Sequence, residues 1–238
     1  FFVYIKSTFC LSFIVYNCKL VLFNLVVLKM LDKQKTNASF IGLAGNIGVG
    51  KTTFTKLLSK SLDWTPYFES VTDNPYLNDF YGDMKRWGFN LQVYFLHKRF
   101  QMHQTMSRSS TGVIQDRTIY EDMEIFARNL YQLGKLSKRD WENYSGLFAV
   151  MTSYLKKPDL IIYLRAETDT LISRIKNRGR DYENSIDPEY VHTLNMSYDR
   201  WIRSITDQPV MTIQTDDFNI FKDTKRFKDI EEEILERL

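Results

Sequence analysis

Short apolar runs alternate along the chain with longer stretches whose apolar residues recur at helical spacing. The two clearest runs, residues 160–164 and 210–213, are almost continuously apolar, which predicts strands that are buried on both faces. The predicted strands cover residues 40–44, 67–69, 112–115, 160–164 and 210–215. The predicted helices cover residues 51–60, 84–109, 118–133, 137–155, 168–178, 187–204 and 222–237. This alternation predicts an α/β fold with a five-stranded parallel sheet flanked by helices, in which ligands bind beyond the carboxyl ends of the strands.

Composition narrows the class of protein. The chain has 238 residues, of which 44% are hydrophobic and 26% are charged, a balance that excludes a disordered chain, a collagen-like fibre and a multi-span membrane protein. No internal repeat or linker interrupts residues 30–238, so we expect a single domain there. The three lysines of residues 1–29, where no acidic residue occurs, account for the whole net charge of +3. Because the remainder is neutral, we expect no binding to nucleic acid.

The N-terminal segment, residues 1–29, is apolar and contains both cysteines. Lys6 and Lys19 divide it into runs shorter than a transmembrane helix needs. It lacks the small-residue cleavage site of a signal peptide and the arginines of a transit peptide. Because Met30 directly precedes a polar stretch, we expect the working protein to start there. Residues 1–29 are then a non-native extension, and no membrane partner is expected.

A glycine-rich loop directly follows the first predicted strand. Residues 45–52 fit the pattern G-x-x-x-x-G-K-[ST], in which backbone amides and a helix N-terminus surround phosphate oxygens. Lys51 is expected to reach the terminal phosphates, and Thr52 to ligate Mg²⁺. The residues expected to bind the nucleotide here are Gly45, Asn46, Ile47, Gly48, Val49, Gly50, Lys51, Thr52 and Thr53. The loop predicts binding of a nucleoside triphosphate but does not define the reaction.

Charged residues occupy other predicted strand ends and one helix. The chain has neither the N-K-x-D sequence of GTPases nor the L-S-G-G-Q-like sequence of transporter ATPases. Instead, Glu69 ends the second predicted strand, and Asp116 and Arg117 end the third. Arg174 and Arg178 lie four residues apart on one helical face, and Arg180 follows a glycine that is expected to stop this helix.

With these residues, and with Trp87 and Gln92 in the sequence Arg-Trp-Gly-Phe-Asn-Leu-Gln, the chain resembles the deoxynucleoside kinases over residues 39–218. The resemblance implies a five-stranded phosphate-loop fold with an arginine-rich lid. It also implies ATP and Mg²⁺ as cofactors, a homodimer, and a cytoplasmic enzyme of nucleotide salvage that phosphorylates the 5′-hydroxyl of a deoxynucleoside.

The resemblance implies catalytic roles for several residues. Glu69 would take the proton from the 5′-hydroxyl, although Ser70 stands where the family usually has proline, which affects the expected loop geometry. Asp116 would lie near Mg²⁺ together with Thr52. Arg117 would lie between the 5′-oxygen and the transferred phosphoryl group.

It also implies substrate contacts. Arg174, Arg178 and Arg180 would close over ATP. Glu183 and Tyr81 would hold the 3′-hydroxyl of the deoxyribose. Gln92 would read the base edge and Phe126 would stack on the base. The residues matching Arg99 and Asp122 form an ionic pair that reads purines or cytosine, so we expect deoxyadenosine or deoxyguanosine to be preferred, deoxycytidine to be accepted and thymidine to be poor. A salt bridge between helices with no ligand is the alternative interpretation of Arg99.

Two other functions stay open at this point. A nucleoside monophosphate kinase, such as a thymidylate kinase, shares the phosphate loop and the strand-ending Asp-Arg sequence, but it needs basic residues where Glu69 stands, because a carboxylate repels an acceptor phosphate. A non-catalytic subunit with a kinase-like fold would be expected to lose Lys51, Glu69 or the lid arginines, which are all present.

Overall fold

The computed structural model describes residues 38–69, 74–180, 183 and 186–238. The chain divides into two units, Phe1–Asn37 and Ala38–Leu238, and all described residues belong to the second. The predicted N-terminal extension, residues 1–29, lies outside the described residues, so its status stays a prediction.

A five-stranded sheet forms the centre of the fold. Its strands are β1 (Phe40–Gly45), β2 (Thr65–Tyr67), β3 (Val113–Asp116), β4 (Leu160–Arg165) and β5 (Val210–Gln214). They are all parallel, in the order β2-β3-β1-β4-β5. The predicted fold class is therefore confirmed. The sheet places the ends of β1 and β3 side by side, with Leu43 paired to Asp116.

Helices cover both faces of the sheet. They are α1 (Lys51–Leu62), α2 (Leu77–Gly82), α3 (Met84–Met106), α4 (Ile119–Glu121, continued by Asp122–Ala127 and Arg128–Gln132), α5 (Lys138–Thr152), α6 (Thr168–Arg178), α7 (Pro188–Ser204) and α8 (Thr224–Glu236). Two of the starts follow directly from sequence. Ser137 caps α5 by accepting from Asp140 N–H, and Asp187 caps α7 just before a proline at the first helical position.

The apolar core has one part on each face of the sheet. On one face α1, α6 and α8 pack against β1 and β4, for example through Leu58, Leu171 and Ile234. On the other face α4 and α7 pack against the same strands, through Ile125 and Tyr198 among others. A further cluster joins α2, α3, α4 and α5 to one another. Because β1 and β4 are covered on both sides, they hold the loops at their carboxyl ends in fixed positions.

The middle of α4 is wound more widely than an α-helix. Residues Asp122–Ala127 form a π-helical turn, and Arg128 N–H donates to Met123 O, five residues back. The predicted helix over residues 118–133 is present, but its periodicity gave no sign of this turn. The turn sets the direction of the two predicted substrate contacts that lie within it, Asp122 and Phe126.

Other predicted elements differ from the structure. The second strand lies at Thr65–Tyr67, so Glu69 follows it by two residues instead of ending it. Helix α2 was not predicted, because six residues are too few to show a helical period. Burial of β5 on both faces was wrong: β5 is an edge strand, and Thr212 and Gln214 are exposed while Met211 and Ile213 are buried. The prediction held for β4.

None of the helices in the part of the chain that the structure describes has both the length and the apolar character that a bilayer crossing requires.

The one-sided burial of β5 leads to a stability prediction. Ile213→Ala is expected to lower the free energy of unfolding by about 2–5 kcal/mol, because it removes a buried side chain from the core. The neighbouring control, Thr212→Ala, faces solvent and is expected to change it by less than about 0.5 kcal/mol. Urea unfolding followed by circular dichroism measures both values. Equal losses would contradict the one-sided burial of this strand.

Candidate active site

A cavity of about 440 Å³ opens beyond the carboxyl ends of β1, β2 and β3. This is the position that a parallel sheet predicts for a ligand. Most residues predicted for the site line it: Ile47, Gly48, Gly50, Lys51, Thr52, Thr53, Glu69, Tyr81, Gln92, Asp116, Arg117, Asp122, Phe126, Arg178, Arg180 and Glu183. Gly45, Asn46 and Val49 belong to the same loop without facing the cavity, Arg99 lies buried behind its wall, and Arg174 lies elsewhere.

The phosphate loop joins β1 to α1 through backbone that favours glycine. Gly48 has φ +84°, and a Cβ atom there would lie 2.8 Å from Ile175 Cγ1. Gly50 has φ +103° with open space around the Cβ position, directly before the first turn of α1. The Asn46 side chain fixes the loop to α7 by donating to Val191 O at 3.0 Å. The loop therefore leaves the N-terminus of α1 open to an anion.

Lys51 lies folded against this loop. Its Nζ donates to Gly45 O at 2.7 Å and to Asn46 O at 3.0 Å. Burial, and then the positive charge of Arg117, lower the pKa of Lys51 to about 8, against the opposing charges of nearby carboxylates. The ammonium group is therefore held close to the position where phosphates would lie.

The two oxygen ligands predicted for Mg²⁺ lie side by side at the start of α1 and the end of β3. Thr52 Oγ1 donates to Asp116 Oδ2 at 2.6 Å. The other carboxylate oxygen, Asp116 Oδ1, is buried and has no hydrogen-bond partner among the described residues. A hydroxyl and a carboxylate in this arrangement fit Mg²⁺, which prefers oxygen ligands and takes the others from water and phosphate.

Arg117 follows β3 in an uncommon backbone conformation. Its φ is +69°, in the left-handed region that costs a non-glycine residue about 1–2 kcal/mol. Its N–H donates to Leu43 O at 3.0 Å, and its carbonyl accepts from Arg99 Nη1 at 3.0 Å. The guanidinium lies 4.3 Å from the centroid of the Phe126 ring. Strain of this kind is typical of functional sites.

Glu69 lies between two arginines. Its Oε1 accepts from Arg99 Nη2 at 2.6 Å, and its Oε2 lies 3.4 Å from Arg117 Nε. Burial opposes the ionisation of this carboxyl, but the positive charges of Arg117, Arg99 and Lys51 together outweigh it and lower the pKa of Glu69 to about 2. The carboxylate is therefore ionised across the physiological pH range.

Arg99 and Asp122 form the predicted ionic pair. Arg99 Nε donates to Asp122 Oδ2, and both side chains are only 2% exposed. Burial raises the pKa of Asp122, against the opposing charge of Arg99. The same arginine also binds Glu69, so one guanidinium connects the predicted base-reading carboxylate to the predicted catalytic carboxylate. Nearby, Gln92 Oε1 is buried and has no hydrogen-bond partner in the described part of the chain.

The predicted lid arginines separate into two groups. Arg178 Nη2 donates to Glu183 Oε1 at 2.6 Å, and Arg180 Nη1 lies 3.5 Å from the same oxygen. Arg174 instead donates to Thr215 O, Thr215 Oγ1 and Val49 O. It therefore lines a second cavity, of about 450 Å³, on the other side of the phosphate loop. Helical spacing predicted a shared face for Arg174 and Arg178 but not what each side chain contacts.

Several lining residues were not predicted from sequence. Apolar and aromatic side chains from α2, α3 and α7 complete the wall of the main cavity: Leu77, Phe80, Leu91, Phe95 and Tyr190. The second cavity is lined largely by the segment after β5, residues 215–221. In the sequence these residues have the pattern of ordinary core or loop residues. Only the topology of the fold brings them to a cavity.

The fold and this cavity define a phosphotransferase with a phosphate loop. Cationic side chains line the cavity around this loop, and the carboxylate of Glu69 faces the same space. Comparison with known proteins gives the family. Residues 41–238 match the family model described as deoxynucleoside kinase. The chain is 39% identical over 198 residues to the deoxyadenosine/deoxycytidine kinase of Bacillus subtilis (strain 168), covering 82% of this chain and 91% of that protein.

Two further relatives agree. The deoxyadenosine kinase of Dictyostelium discoideum is 40% identical over 189 residues, or 79% of this chain and 77% of that protein. The solved structure of the deoxyadenosine kinase from M. mycoides with bound dCTP is similar, with a TM-score of 0.73 and 31% identity over 83% of this chain and 99% of that one. The chain belongs to the deoxynucleoside kinase family, which confirms the resemblance stated from its sequence. It is an enzyme that phosphorylates deoxynucleosides in nucleotide salvage, with ATP as the donor that the family implies.

The lowered pKa of Lys51 leads to a pH prediction. In the enzyme without nucleotide, Lys51 loses its charge as the pH rises through about 8. We expect kcat/KM for ATP to fall about tenfold for each pH unit above that value, since this ratio reports the free enzyme. The value of kcat should fall less, because bound phosphate favours the protonated lysine. Steady-state assays from pH 6.5 to 9.5 measure both constants, and a flat kcat/KM would contradict the assignment.

Proposed function

We propose that this enzyme transfers the γ-phosphoryl group of ATP to the 5′-hydroxyl of a deoxynucleoside, with deoxyadenosine or deoxyguanosine preferred, deoxycytidine accepted and thymidine poor. The observation that supports this most directly is the shared cavity: Glu69 and Arg117 face the same space as the phosphate loop. A hydroxyl at Glu69 would lie beside the phosphate oxygens that the loop amides surround.

Glu69 is the proposed catalytic base. With a pKa of about 2 it is a weak base toward a free alcohol. Phosphoryl transfer has a loose transition state, so the alcohol proton is needed only late in the reaction. In that case the carboxylate mainly orients the hydroxyl and receives its proton once the oxygen–phosphorus bond is forming. Arg117, 3.4 Å from Glu69, would face the charge that develops on the transferred group.

The donor side combines the loop with the lid. Lys51, Arg178 and Arg180 would neutralise the phosphates, and each lines the main cavity. Thr52 and Asp116 would hold Mg²⁺, which supplies charge neutralisation when bound. The described residues contain no cluster of three His, Cys, Asp or Glu side chains, so this metal would take its other ligands from phosphates and water. Arg174 would contribute from the second cavity, beside Val49 and Thr215.

The base-binding end of the cavity contains groups that suit a purine or cytosine. Gln92 Oε1 is an unpaired acceptor at this end, and Phe126 offers an aromatic face. The buried Arg99–Asp122 pair holds polar groups in a fixed position at this end of the cavity. A base that forms no hydrogen bonds with these groups is rejected strongly. Glu183 and Tyr81, both in the cavity wall, are the proposed partners of the 3′-hydroxyl.

The remaining alternatives are less well supported. A nucleoside monophosphate kinase needs cations around the acceptor phosphate, whereas the carboxylate of Glu69 lines the cavity at that position. A non-catalytic subunit has no need of a strained Arg117 or of a buried Lys51. The discriminating assay compares turnover of deoxyadenosine with turnover of thymidine monophosphate, and turnover of the monophosphate alone would favour the first alternative.

A homodimer in the cytoplasm is part of the proposal. Leu147 and Val150 of α5, and Tyr154 just after it, are 43%, 62% and 80% exposed. These side chains lie on or next to one helix and would lose water in a contact between two copies. Sedimentation equilibrium of the protein measures this state.

Replacing the proposed base tests the chemistry. Glu69→Gln is expected to lower kcat by about 10²–10⁴-fold, because the amide cannot accept the hydroxyl proton. Binding of ATP should change little, since the phosphate loop is untouched. Glu124→Gln is the matched control: this glutamate pairs with Arg128 away from the cavity, so kcat should stay at the wild-type value. Equal kcat values for all three proteins would contradict the role of Glu69.

Replacing the ionic pair tests base selection. Arg99→Met combined with Asp122→Ala is expected to lower the ratio of kcat/KM for deoxyadenosine to that for thymidine by on the order of 10²-fold or more. The control removes another ion pair, Arg165 with Asp199, which joins β4 to α7 outside the cavity. A panel of the four deoxynucleosides gives the ratios, and an unchanged ranking in the first variant would overturn this assignment.

A further inference from the structure

Glu121, in the first turn of α4, is a buried carboxylate to which neither the family resemblance nor the cavity lining gave a role. It is completely buried. Its Oε1 accepts from Thr118 N–H at 2.8 Å. Its Oε2 accepts from Gly45 N–H at 3.3 Å and from the Tyr198 hydroxyl at 2.8 Å. Within the described residues, no lysine or arginine nitrogen lies within ion-pair distance of it.

Helix capping explains only part of this arrangement. The bond from Thr118 N–H to Glu121 belongs to a capping box at the start of α4. A surface glutamate makes such a bond without burial. The second oxygen goes beyond capping, because its two partners come from the first residue of the phosphate loop and from α7. Burying a carboxylate without a paired cation costs free energy, so capping alone does not account for this placement.

Two of the three bonds, from Thr118 N–H and Gly45 N–H, reach the two loops that would carry the reaction. Gly45 is the last residue of β1 and the first of the phosphate loop. Thr118 follows Arg117, whose left-handed backbone needs restraint on both sides to persist. On one side, Arg99 holds the carbonyl of Arg117. On the other side, Glu121 holds the next amide. The Glu121 carboxylate therefore fixes the distance between the phosphate loop and Arg117.

We propose that Glu121 is a positioning residue, which ties the start of the phosphate loop to the backbone that presents Arg117. This inference rests on the proposed function, because it assumes that the loop and Arg117 act together on one phosphoryl group. Displacement of a reacting group by about 1 Å is enough to cost on the order of 10²-fold in rate. The loss therefore falls on the rate of the chemical step rather than on the binding of the deoxynucleoside.

Two substitutions test the role. Glu121→Gln replaces one of the two accepting oxygens with an NH₂ group. This donor then faces another donor, either Thr118 N–H or Gly45 N–H. In Glu121→Asp the charge remains, but the side chain is one methylene too short to reach both amides. Each variant is expected to lower kcat by about tenfold or more, with KM for deoxyadenosine within about threefold of wild type. The aspartate variant keeps the test valid if the glutamine variant does not fold.

The control removes a buried hydrogen bond between the same two helices. Ser197 of α7 donates to Asn129 of α4 at 3.0 Å, and neither residue lines the cavity. Ser197→Ala is expected to lower the free energy of unfolding while kcat stays within about twofold of wild type. Urea unfolding is measured on every variant, so a loss of stability is separated from a loss of rate.

The outcomes are distinct. A folded Glu121→Gln or Glu121→Asp protein with wild-type kcat overturns the positioning role. The role is also overturned if Ser197→Ala lowers kcat equally for the same loss of stability. In that case the lower rate follows from a general loss of stability. If the wild-type chain does not phosphorylate any deoxynucleoside with ATP, the proposed function itself fails, whatever the variants do.

Discussion

Buried positive charge is the constraint around which this site is built. Lys51, Arg99 and Arg117 all lie away from water at the carboxyl edge of the sheet. Buried cations persist only where opposite charges and hydrogen bonds replace their hydration. Glu69 and Asp122 do this for the arginines, and loop carbonyls do it for the lysine. Each cation already has a partner, so a substrate that enters exchanges existing contacts for its own.

The strand order explains why these groups meet. Because β1 lies between β3 and β4, with β2 beyond β3, the segments that follow β1, β2 and β3 open side by side at one edge. The phosphate loop, Glu69 and the Asp116-Arg117 pair are thereby gathered from positions up to 72 residues apart, as the numbering from Gly45 to Arg117 shows. Helices α1 and α4 then start at this edge, and their first turns face the same space. A chemistry of positioning and charge suits such a frame, since β1 and β3, which carry the phosphate loop and the Asp116-Arg117 pair, are buried along their whole length.

What the sequence could predict was local. The phosphate loop was predictable because its glycines, lysine and threonine are consecutive, and the Asp116-Arg117 pair because it directly follows an apolar strand. The sequence does not distinguish central from edge strands, because an edge position depends on which strands pair in the sheet. For that reason the predicted burial of β5 on both faces was wrong. Spacing predicts one helical face for Arg174 and Arg178 but not what surrounds each side chain, so the sequence gives no sign of the second cavity beside Arg174. The spacing of Thr118 and Glu121 is typical of a capping box, but nothing in the sequence indicates the contacts of Glu121 with Gly45 and Tyr198, which come from distant segments.

The wide turn of α4 has a consequence for comparing relatives of this enzyme. A π-helical turn is equivalent to an α-helix that has accepted one additional residue, and it rotates everything beyond it by roughly a quarter of a turn. A homologue without that residue would direct a different side chain of α4 into the cavity that Phe126 lines here. An alignment without a gap would then pair Phe126 with a residue of the homologue that does not occupy the same position in space. A single-codon insertion or deletion in α4 would therefore change which side chain lines the cavity at the position of Phe126.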